Sequence, residues 1–207
     1  MNGTCIIVGA GEFAEKTIEK RENDILIAAD GGVKNLESIG IAPDIVVGDF
    51  DSLGYEPDFE NLIRLPKEKD LTDTAVAIET GLSQGYKKFR IFGGTGGRTD
   101  HTIANIQNIV NLAKKGFYAE LVDEKQVYTA LVNGEISFDE SYLGYISVFS
   151  YSDISNGVFE SGLKYNLNNE TLYSTNPIGV SNEFIGKKTK VGVKDGILLI
   201  IYDRQDK

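Results

Sequence analysis

Residues 92–101 have the sequence Phe-Gly-Gly-Thr-Gly-Gly-Arg-Thr-Asp-His and link a strand-like apolar segment to a helix-like one. Four glycines let the backbone turn tightly and approach a bulky anion. Arg98 adds a guanidinium that can bind two oxygens of one phosphate, and Asp100 adds a carboxylate. A phosphate would then meet backbone N–H groups, a helix N-terminus and a cation together. The stretch therefore predicts a phosphate-binding loop; the simpler alternative is a glycine-rich turn without a ligand.

The chain around this loop alternates between β-rich runs and helical patterns up to residue 122. Strands are predicted at residues 5–8, 25–28, 45–47, 62–65, 89–92 and 118–122, and helices at 12–20, 33–39, 73–83 and 102–114. Such alternation favours a parallel sheet covered by helices. Residues 25–29 are apolar at every position, which is typical of a strand buried on both faces.

The pattern changes after residue 123. Residues 126–202 show no helical pattern, and strands are predicted at 127–132, 145–149, 157–159, 164–167, 189–193 and 197–202. Short strands separated by turn residues are typical of a small sandwich or barrel. We therefore predict two domains: an α/β domain with a mainly parallel sheet over residues 1–123, and an all-β sandwich over residues 124–207.

The composition limits the possible partners. The formal net charge is -10 and the pI is about 4.7, whereas a nucleic-acid-binding domain normally carries a basic face. We therefore expect no nucleic-acid partner, and an anionic substrate would need a divalent cation in so acidic a protein. A single cysteine excludes an intramolecular disulfide. With neither a signal-peptide pattern nor a long apolar run, a cytoplasmic protein without a membrane partner is expected.

Acidic residues follow several of the predicted strands. They are Asp30, Asp49, Asp51, Asp70, Asp73 and, at the end of the glycine loop, Asp100. Ligands of open α/β sheets bind beyond the carboxyl ends of the strands, so these carboxylates are expected to converge. In extended backbone, an Asp-x-Asp sequence places both carboxylates on one face, where they can bind one Mg²⁺. The structural alternatives are that Asp49 and Asp51 are turn residues, that Asp70 caps a helix and that Asp73 favours its dipole.

The sequence gives less support for other catalytic motifs. The only histidine, His101, is either a general base or a helix-start residue packed beside the loop. No Gly-x-Ser-x-Gly sequence is present, which argues against a serine hydrolase. Residues 9–11, Gly-Ala-Gly, form half of a dinucleotide-binding fingerprint that fails at Ala14, and no P-loop sequence occurs. NAD binding and a P-loop kinase are therefore not expected.

Five segments in this order resemble the thiamine pyrophosphokinase family. They are residues 29–32, 43–44 with 48–52, 69–73, 93–101 and 179–184. Their order and spacing match over nearly the whole chain. The resemblance implies an N-terminal catalytic domain that binds ATP and Mg²⁺ and a C-terminal sandwich that binds thiamine. The implied reaction moves the diphosphate of ATP to the hydroxyl of thiamine by in-line attack on the β-phosphorus, and AMP is released.

The resemblance also implies roles for individual residues. Metal ligands would be Asp49, Asp51 and Asp73, and the reacting centre would be lined by Asp70 and Asp100. ATP would be bound by Asp30, Gly31, Lys69, Thr72, Gly94, Gly96, Gly97 and Arg98. Thiamine would be bound by Ser181, Asn182 and Phe184. The family further implies a homodimer, with each site shared between the two subunits.

Two departures from the family pattern leave alternatives open. Ala75 stands where many bacterial relatives carry Glu, and the chain has no Trp, so a Phe or Tyr must stack on the rings of thiamine. Phe184 is a candidate for that role or else a core residue. The competing functions are diphosphate transfer to another heterocyclic alcohol, such as a hydroxymethylpterin, and a non-catalytic sensor that kept the fold. The retained motif aspartates argue against the sensor.

Overall fold

The computed structural model describes residues 3–50, 59–66 and 70–205. The chain divides into two compact units, Met1–Asn108 with Phe117–Glu124, and Ile109–Gly116 with Lys125–Lys207. Up to residue 124 the strands are β1 (Cys5–Val8), β2 (Ile25–Ala29), β3 (Ile45–Gly48), β4 (Leu62–Arg64), β5 (Lys88–Phe92) and β6 (Tyr118–Val122), and the helices are α1 (Gly32–Ser38), α2 (Asp73–Ser83) and α3 (Thr99–Lys114). Within the described residues, no helix combines the length and apolar character needed to cross a bilayer.

The first unit is built on a parallel sheet in the order β6-β5-β1-β2-β3-β4. Every residue of β1, β2 and β3 is buried, as expected for parallel strands that are covered on both faces. Helix α1 packs against β1 and β2, and α2 packs against β1, β2 and β3. The predicted parallel sheet with covering helices is confirmed.

The second unit contains antiparallel strands. They are β7 (Gln126–Val132), β8 (Glu135–Phe138), β9 (Tyr145–Ser150), β10 (Ile154–Ser161), β11 (Leu167–Tyr173), β12 (Asn182–Glu183), β13 (Thr189–Gly192) and β14 (Ile197–Asp203). They pair in the orders β12-β9-β14-β7 and β11-β10-β13-β8. Phe138 of the second set contacts Tyr202 of the first, with ring centroids 5.1 Å apart. Residues 126–202, all of which are described, contain no helix, as predicted; the sandwich assignment stays a prediction.

The helix predicted at residues 12–20 is wrong. The segment has no regular secondary structure, and of its apolar residues Phe13, Ala14 and Ile18 only Ile18 is buried. A helix in a protein is stabilised mainly by an apolar face that packs against the rest of the fold, and one buried residue does not provide such a face. At the start of the segment, moreover, the Glu12 N–H donates to the carbonyl of Thr95 and not to a helical partner.

The strand predicted at residues 164–167 is also wrong, because the strand in this region is Leu167–Tyr173. The sequence Asn168-Asn169 suggests a turn, yet both residues lie inside β11. Asn169 adopts a left-handed φ of 61°, and the register with β10 shifts around it. Asn tolerates this conformation better than most residues, so the strand continues past an irregularity that resembles a turn in sequence.

Candidate active site

One edge of the parallel sheet collects the segments that carry the glycine loop and several aspartates. Phe92 and Ala28 are both register partners of Val8, and Val46 is the partner of Ala28. The carboxyl ends of β5, β1, β2 and β3 therefore lie side by side, with neighbouring strands about 4.8 Å apart. The residues that follow these ends are Gly93, Gly9, Asp30 and Asp49. The geometry thus brings the glycine loop and two strand-end aspartates to the same edge.

The segment after β1 is clamped onto the glycine loop after β5. Three backbone hydrogen bonds join them: Gly9 N–H to Phe92 O (2.8 Å), Gly11 N–H to Gly93 O (2.7 Å) and Glu12 N–H to Thr95 O (2.9 Å). Gly93 has a φ of 60°, and a Cβ there would lie 2.4 Å from the carbonyl oxygen of Gly9. The approach is possible only without a side chain.

Two asparagines support this clamp from neighbouring helices. The Asn35 side chain of α1 donates to the carbonyls of Gly9 (2.8 Å) and Gly11 (3.2 Å). The buried Asn105 of α3 donates to the carbonyl of Gly94 at 2.8 Å. Sequence reasoning missed both asparagines and treated residues 9–11 as a failed dinucleotide fingerprint. A glycine pair after each of two strands was the available signal that the two loops approach closely.

The far half of the glycine loop is open. Gly93, Gly94 and Thr95 are buried, whereas Gly97 to Asp100 are exposed. Arg98 donates to both carboxylate oxygens of Asp100, at 3.1 Å from Nε and 2.5 Å from Nη2. These bonds lower the pKa of Asp100, and the carboxylate raises the pKa of Arg98. Two residues predicted to bind different groups are therefore paired with each other in this structure, and His101 lies beside them in the first turn of α3.

The strand-end aspartates are positioned by backbone contacts. Asp30 has a left-handed φ of 47° and donates its N–H to the carbonyl of Val47 at 2.7 Å. A Cβ on Gly48 would lie 3.1 Å from the Cα of Asp30, so Asp30 packs against the end of β3. Asp49 follows immediately after that end. These two predicted site residues are therefore close in the fold.

Helix α2 supplies the next set of predicted residues. Thr72 is its N-cap and accepts a hydrogen bond from the Ala75 N–H at 3.2 Å, while Asp73 is its first residue and Asp70, before it, is exposed. Gly31 is the N-cap of α1.

Asp51 and Lys69 lie outside the described residues. Residues 3–50, 59–66 and 70–205 contain no group of three His, Cys, Asp or Glu side chains able to hold a metal, and the predicted set needs Asp51. Asp49 and Asp73 offer hard oxygen donors, which fit Mg²⁺.

A shallow concavity elsewhere in the first unit is separate from these residues. It is lined by the first residues of β2, β3 and β4 (Ile25, Ile45 and Leu62) and by Asp44 and Gln84, among others. Because parallel strands begin at one edge and end at the other, this concavity lies at the edge opposite the glycine loop. It includes none of the predicted site residues.

In the second unit, the Asn182 side chain is the centre of a buried hydrogen-bond network. Its Nδ2 donates to Glu160 Oε2 at 2.8 Å and to the carbonyl of Tyr165 at 2.6 Å. Its Oδ1 accepts from the N–H groups of Tyr165 (3.0 Å) and Glu183 (2.9 Å). Asn182 is only 8% exposed. The amide therefore joins β10, β12 and the segment before β11, and its predicted contact with thiamine stays a prediction.

The aromatic residues beside Asn182 differ sharply in exposure. Phe184 is 7% exposed and packs against Phe138 and Tyr142, with ring centroids 5.3 and 5.5 Å away. Tyr165 is 64% exposed, although its backbone is held by Asn182 on both sides. Ser181, the residue before Asn182, is exposed and has a left-handed φ of 60°. Sequence reasoning missed Tyr165, because its exposure follows from the network and not from a local pattern.

The chain thus combines a parallel α/β sheet that carries a glycine loop at its carboxyl edge with an antiparallel unit. Family models match both parts: "Thiamin pyrophosphokinase, catalytic domain" at residues 18–121 and "Thiamin pyrophosphokinase, vitamin B1 binding domain" at residues 134–198. The chain belongs to the thiamin pyrophosphokinase family, and the resemblance predicted from its motifs is confirmed.

Individual relatives agree with this assignment. The thiamine pyrophosphokinase of Bacillus subtilis is 30% identical over 187 residues, which cover 87% of each chain. The crystal structure of the Bacillus subtilis enzyme superimposes with a TM-score of 0.85 at 27% identity over 98% of this chain and all of the other. The structure from Geobacillus thermodenitrificans gives 0.84 at 28% identity over 99% of both chains. The similarity therefore extends over both units.

Proposed function

We propose that this chain transfers the diphosphate group of ATP to the hydroxyl of thiamine, which yields thiamine diphosphate and AMP. In this reaction the thiamine oxygen bonds to the β-phosphorus while the bond from that phosphorus to the oxygen of AMP breaks. The observation that carries the proposal is the glycine loop beside strand-end aspartates, in a chain whose two parts match both family models. Phosphoryl transfer depends mainly on positioning and charge neutralisation, which this edge of the sheet can supply.

ATP is proposed to bind at the glycine loop. Gly94, Gly96, Gly97 and Arg98 would hold its phosphates, and Asp30, Gly31, Lys69 and Thr72 would complete its site. Arg98 and Asp100 form an ion pair with side chains 71% and 64% exposed, and such exposed pairs are worth little in water. A phosphate can therefore replace Asp100 as the partner of Arg98 at small cost. That exchange would also free the Asp100 carboxylate to accept a proton.

Mg²⁺ is proposed to be held by Asp49, Asp51 and Asp73. When bound, it would neutralise charge on the transferred group and on the departing AMP. Asp70 or Asp100 would accept the proton of the thiamine hydroxyl. Asp49 and Asp73 carry the oxygen donors that this cation prefers, at the end of β3 and the start of α2.

The second unit is proposed to bind thiamine through Ser181, Asn182 and an aromatic ring. Tyr165 suits the stacking role better than Phe184, since Tyr165 is 64% exposed whereas the ring of Phe184 packs against other rings. The thiazolium ring of thiamine is cationic, and an aromatic face attracts cations. Lys164 Nζ already lies 5.7 Å from the Tyr165 ring centroid, so this ring is accessible to a positive group.

We also propose a homodimer in which residues 1–123 of one subunit and residues 124–207 of the other form each site. Large apolar side chains are exposed on both sides of residues 181–184: Ile178 (61%), Val180 (48%) and Ile185 (43%). Clustered apolar exposure is typical of a protein interface. A second copy of the chain, as the family implies, would cover these side chains next to the proposed thiamine residues.

A ³¹P NMR time course with ATP, Mg²⁺ and thiamine tests the proposed reaction directly. We expect AMP and thiamine diphosphate to form only when thiamine is present, which means attack on the β-phosphorus. ADP with thiamine monophosphate would instead show γ-transfer and contradict the proposal. Absence of thiamine-dependent turnover would redirect attention to a hydroxymethylpterin and, if that also fails, to a sensor.

Subunit exchange tests the shared site. Asp73→Asn should lower turnover by well over tenfold, because a metal ligand is weakened, and Asn182→Ala should raise the KM for thiamine. After the two variants are mixed and exchanged, a heterodimer has one intact site, so activity should partly return. If co-purification of differently tagged variants shows mixed dimers but no activity returns, each site belongs to a single subunit.

A further inference from the structure

Glu160 is a carboxyl group buried inside the second unit, where ionisable side chains are unusual. It lies on β10 between β11 and β13 and is only 2% exposed. Its Oε2 accepts one hydrogen bond, from Asn182 Nδ2 at 2.8 Å. Among the described residues, none bonds to its Oε1. A buried carboxyl group with an unsatisfied oxygen is costly, so a fold that retains one usually gains something from it.

The neutral acid is the form that this environment favours. Burial raises the pKa of Glu160, and the hydrogen bond from Asn182 only partly opposes that effect. Because Oε2 accepts the bond from Asn182, the proton of the neutral acid belongs on Oε1. Glu160 is then a fixed acceptor for Asn182 and avoids most of the cost of a buried charge.

Glu160 fixes how the Asn182 amide is turned. The amide nitrogen has two protons, one for Glu160 and one for the Tyr165 carbonyl, and this leaves Oδ1 to accept from Tyr165 and Glu183. Without the acceptor on β10, one N–H of the buried amide would lose its partner. The present orientation of the amide would then be less strongly favoured over the flipped one. The backbone of Tyr165 bonds to both the oxygen and the nitrogen of that amide and so depends on its orientation, while Ser181, whose N–H bonds to Ser147 Oγ at 3.0 Å, immediately precedes Asn182 in the chain.

We propose that Glu160 is a positioning residue for thiamine, acting through Asn182 to hold Ser181 and Tyr165 in their binding arrangement. This inference rests on the proposed function, because it concerns the thiamine end of that same site. It assigns Glu160 no contact with substrate. Its effect should therefore be seen in the affinity for thiamine, with ATP binding unaffected.

The test compares three substitutions at this position. Glu160→Gln keeps an acceptor for Asn182 at the same reach, Glu160→Asp shortens the side chain by one methylene, and Glu160→Leu removes the acceptor. Glu170→Leu, at an exposed position of the neighbouring strand β11, is the matched control. Steady-state kinetics would give the KM for thiamine and for ATP. Amide hydrogen exchange by NMR would report on the N–H groups of Tyr165 and Glu183, which bond to Asn182 Oδ1.

We expect Glu160→Leu and Glu160→Asp to raise the KM for thiamine about tenfold, as for a lost buried hydrogen bond, and to leave the ATP KM within about twofold. They should also accelerate exchange of the two amides, while Gln and the Glu170→Leu control resemble the wild type. An unchanged thiamine KM, an equal rise in both KM values, or a Gln variant as impaired as the Asp variant would overturn the proposal. If Glu160→Leu fails to fold, Glu160→Gln and Glu160→Asp still test the positioning role.

The wild-type enzyme separates this inference from the proposed function. If the wild type shows no thiamine-dependent turnover, the proposed function fails, and the exchange data still show whether Glu160 orders the two amides. If the wild type turns over normally but the variants retain its thiamine KM, only the positioning role fails.

Discussion

The glycine loop and the Asn182 network hold their exposed residues in place by different means. At the loop, backbone N–H groups after β1 bond to carbonyls after β5, and the absence of side chains permits the approach. At the network, one buried amide supplies all the bonds through its side chain. The first arrangement should tolerate no added Cβ, whereas the second should tolerate any substitution that preserves its hydrogen bonds.

This difference also concerns the ligands proposed for each end. A phosphate is recognised well by backbone N–H groups and a cation, so a glycine loop needs few side chains. A heterocyclic cation needs an aromatic face and polar groups at fixed positions, and these require packed support. Substitutions at the glycine loop and at the Asn182 network should therefore have separable effects on ATP and on thiamine.

Gly93→Ala should have the largest effect. Its Cβ would lie 2.4 Å from the Gly9 carbonyl oxygen at a φ of 60°, so either the clamp or the loop must move. We expect kcat/KM for ATP to fall about 100-fold, as for a displacement of about 1 Å at a reacting centre. Unfolding in urea should show a loss of roughly 3 kcal/mol.

Gly40→Ala is the matched control for this substitution. Gly40 has a φ of 69°, but apart from its two chain neighbours no atom of the described part of the chain lies within 4 Å of the position of its Cβ. It therefore tests the backbone conformation alone, which costs about 1–2 kcal/mol. Equal losses of stability and activity in the two variants would show that the clamp contributes nothing beyond a left-handed residue.

Tyr165→Ala and Phe184→Leu should separate binding from packing at the other end. We expect Tyr165→Ala to raise the KM for thiamine about tenfold, from the loss of stacking on a cationic ring, with stability little changed. Phe184→Leu should lower the free energy of unfolding by about 1–2 kcal/mol, because it disturbs packed rings, with the thiamine KM little changed. Kinetics and urea unfolding of both variants provide the measurement, and the reverse pattern would return the stacking role to Phe184.

Much of the first unit was predictable because its signals are local. Continuous apolar runs located β1, β2 and β3, the helical pattern over residues 73–83 located α2, and the glycines located the loop, but the N-cap of α2 is Thr72 and not Asp70. The region at residues 12–20 was mispredicted because its helical appearance depended on a packing face that only Ile18 provides. A sequence pattern shows which residues are apolar, but the surface they meet is set by the rest of the fold.

The second end was harder to predict because its organisation is not local. Glu160, Tyr165 and Asn182 meet although 22 residues separate the first from the last. The family motif identifies Asn182, but neither its buried state nor its bond to Glu160 follows from any spacing in the sequence. Phe184 looked equally suited to stacking and to the core, and only the three-dimensional packing of the rings distinguishes the two.

The smallest expected effect is a pH-dependent gain in stability from Glu160→Gln. The pKa of Glu160 is raised in the folded protein above its ordinary value of 4.5, so between these two values the folded state binds more protons than the unfolded state. Stability from this group therefore falls as pH rises through that window. Gln cannot ionise, so the Tm of the variant minus that of the wild type should grow with pH above about 4.5 and level off once Glu160 is ionised in the folded protein.

Differential scanning calorimetry from pH 5 to 8 would measure this difference. A change of about 1 kcal/mol shifts the Tm of a domain of this size by roughly 2–4 °C, which is readily resolved. The nearby ion pair of Lys164 and Glu183 is present in both proteins, so its contribution to stability should cancel in the comparison. A difference that shrinks with rising pH would mean that the network stabilises the carboxylate. The Asn182 amide would then be held by a charged acceptor.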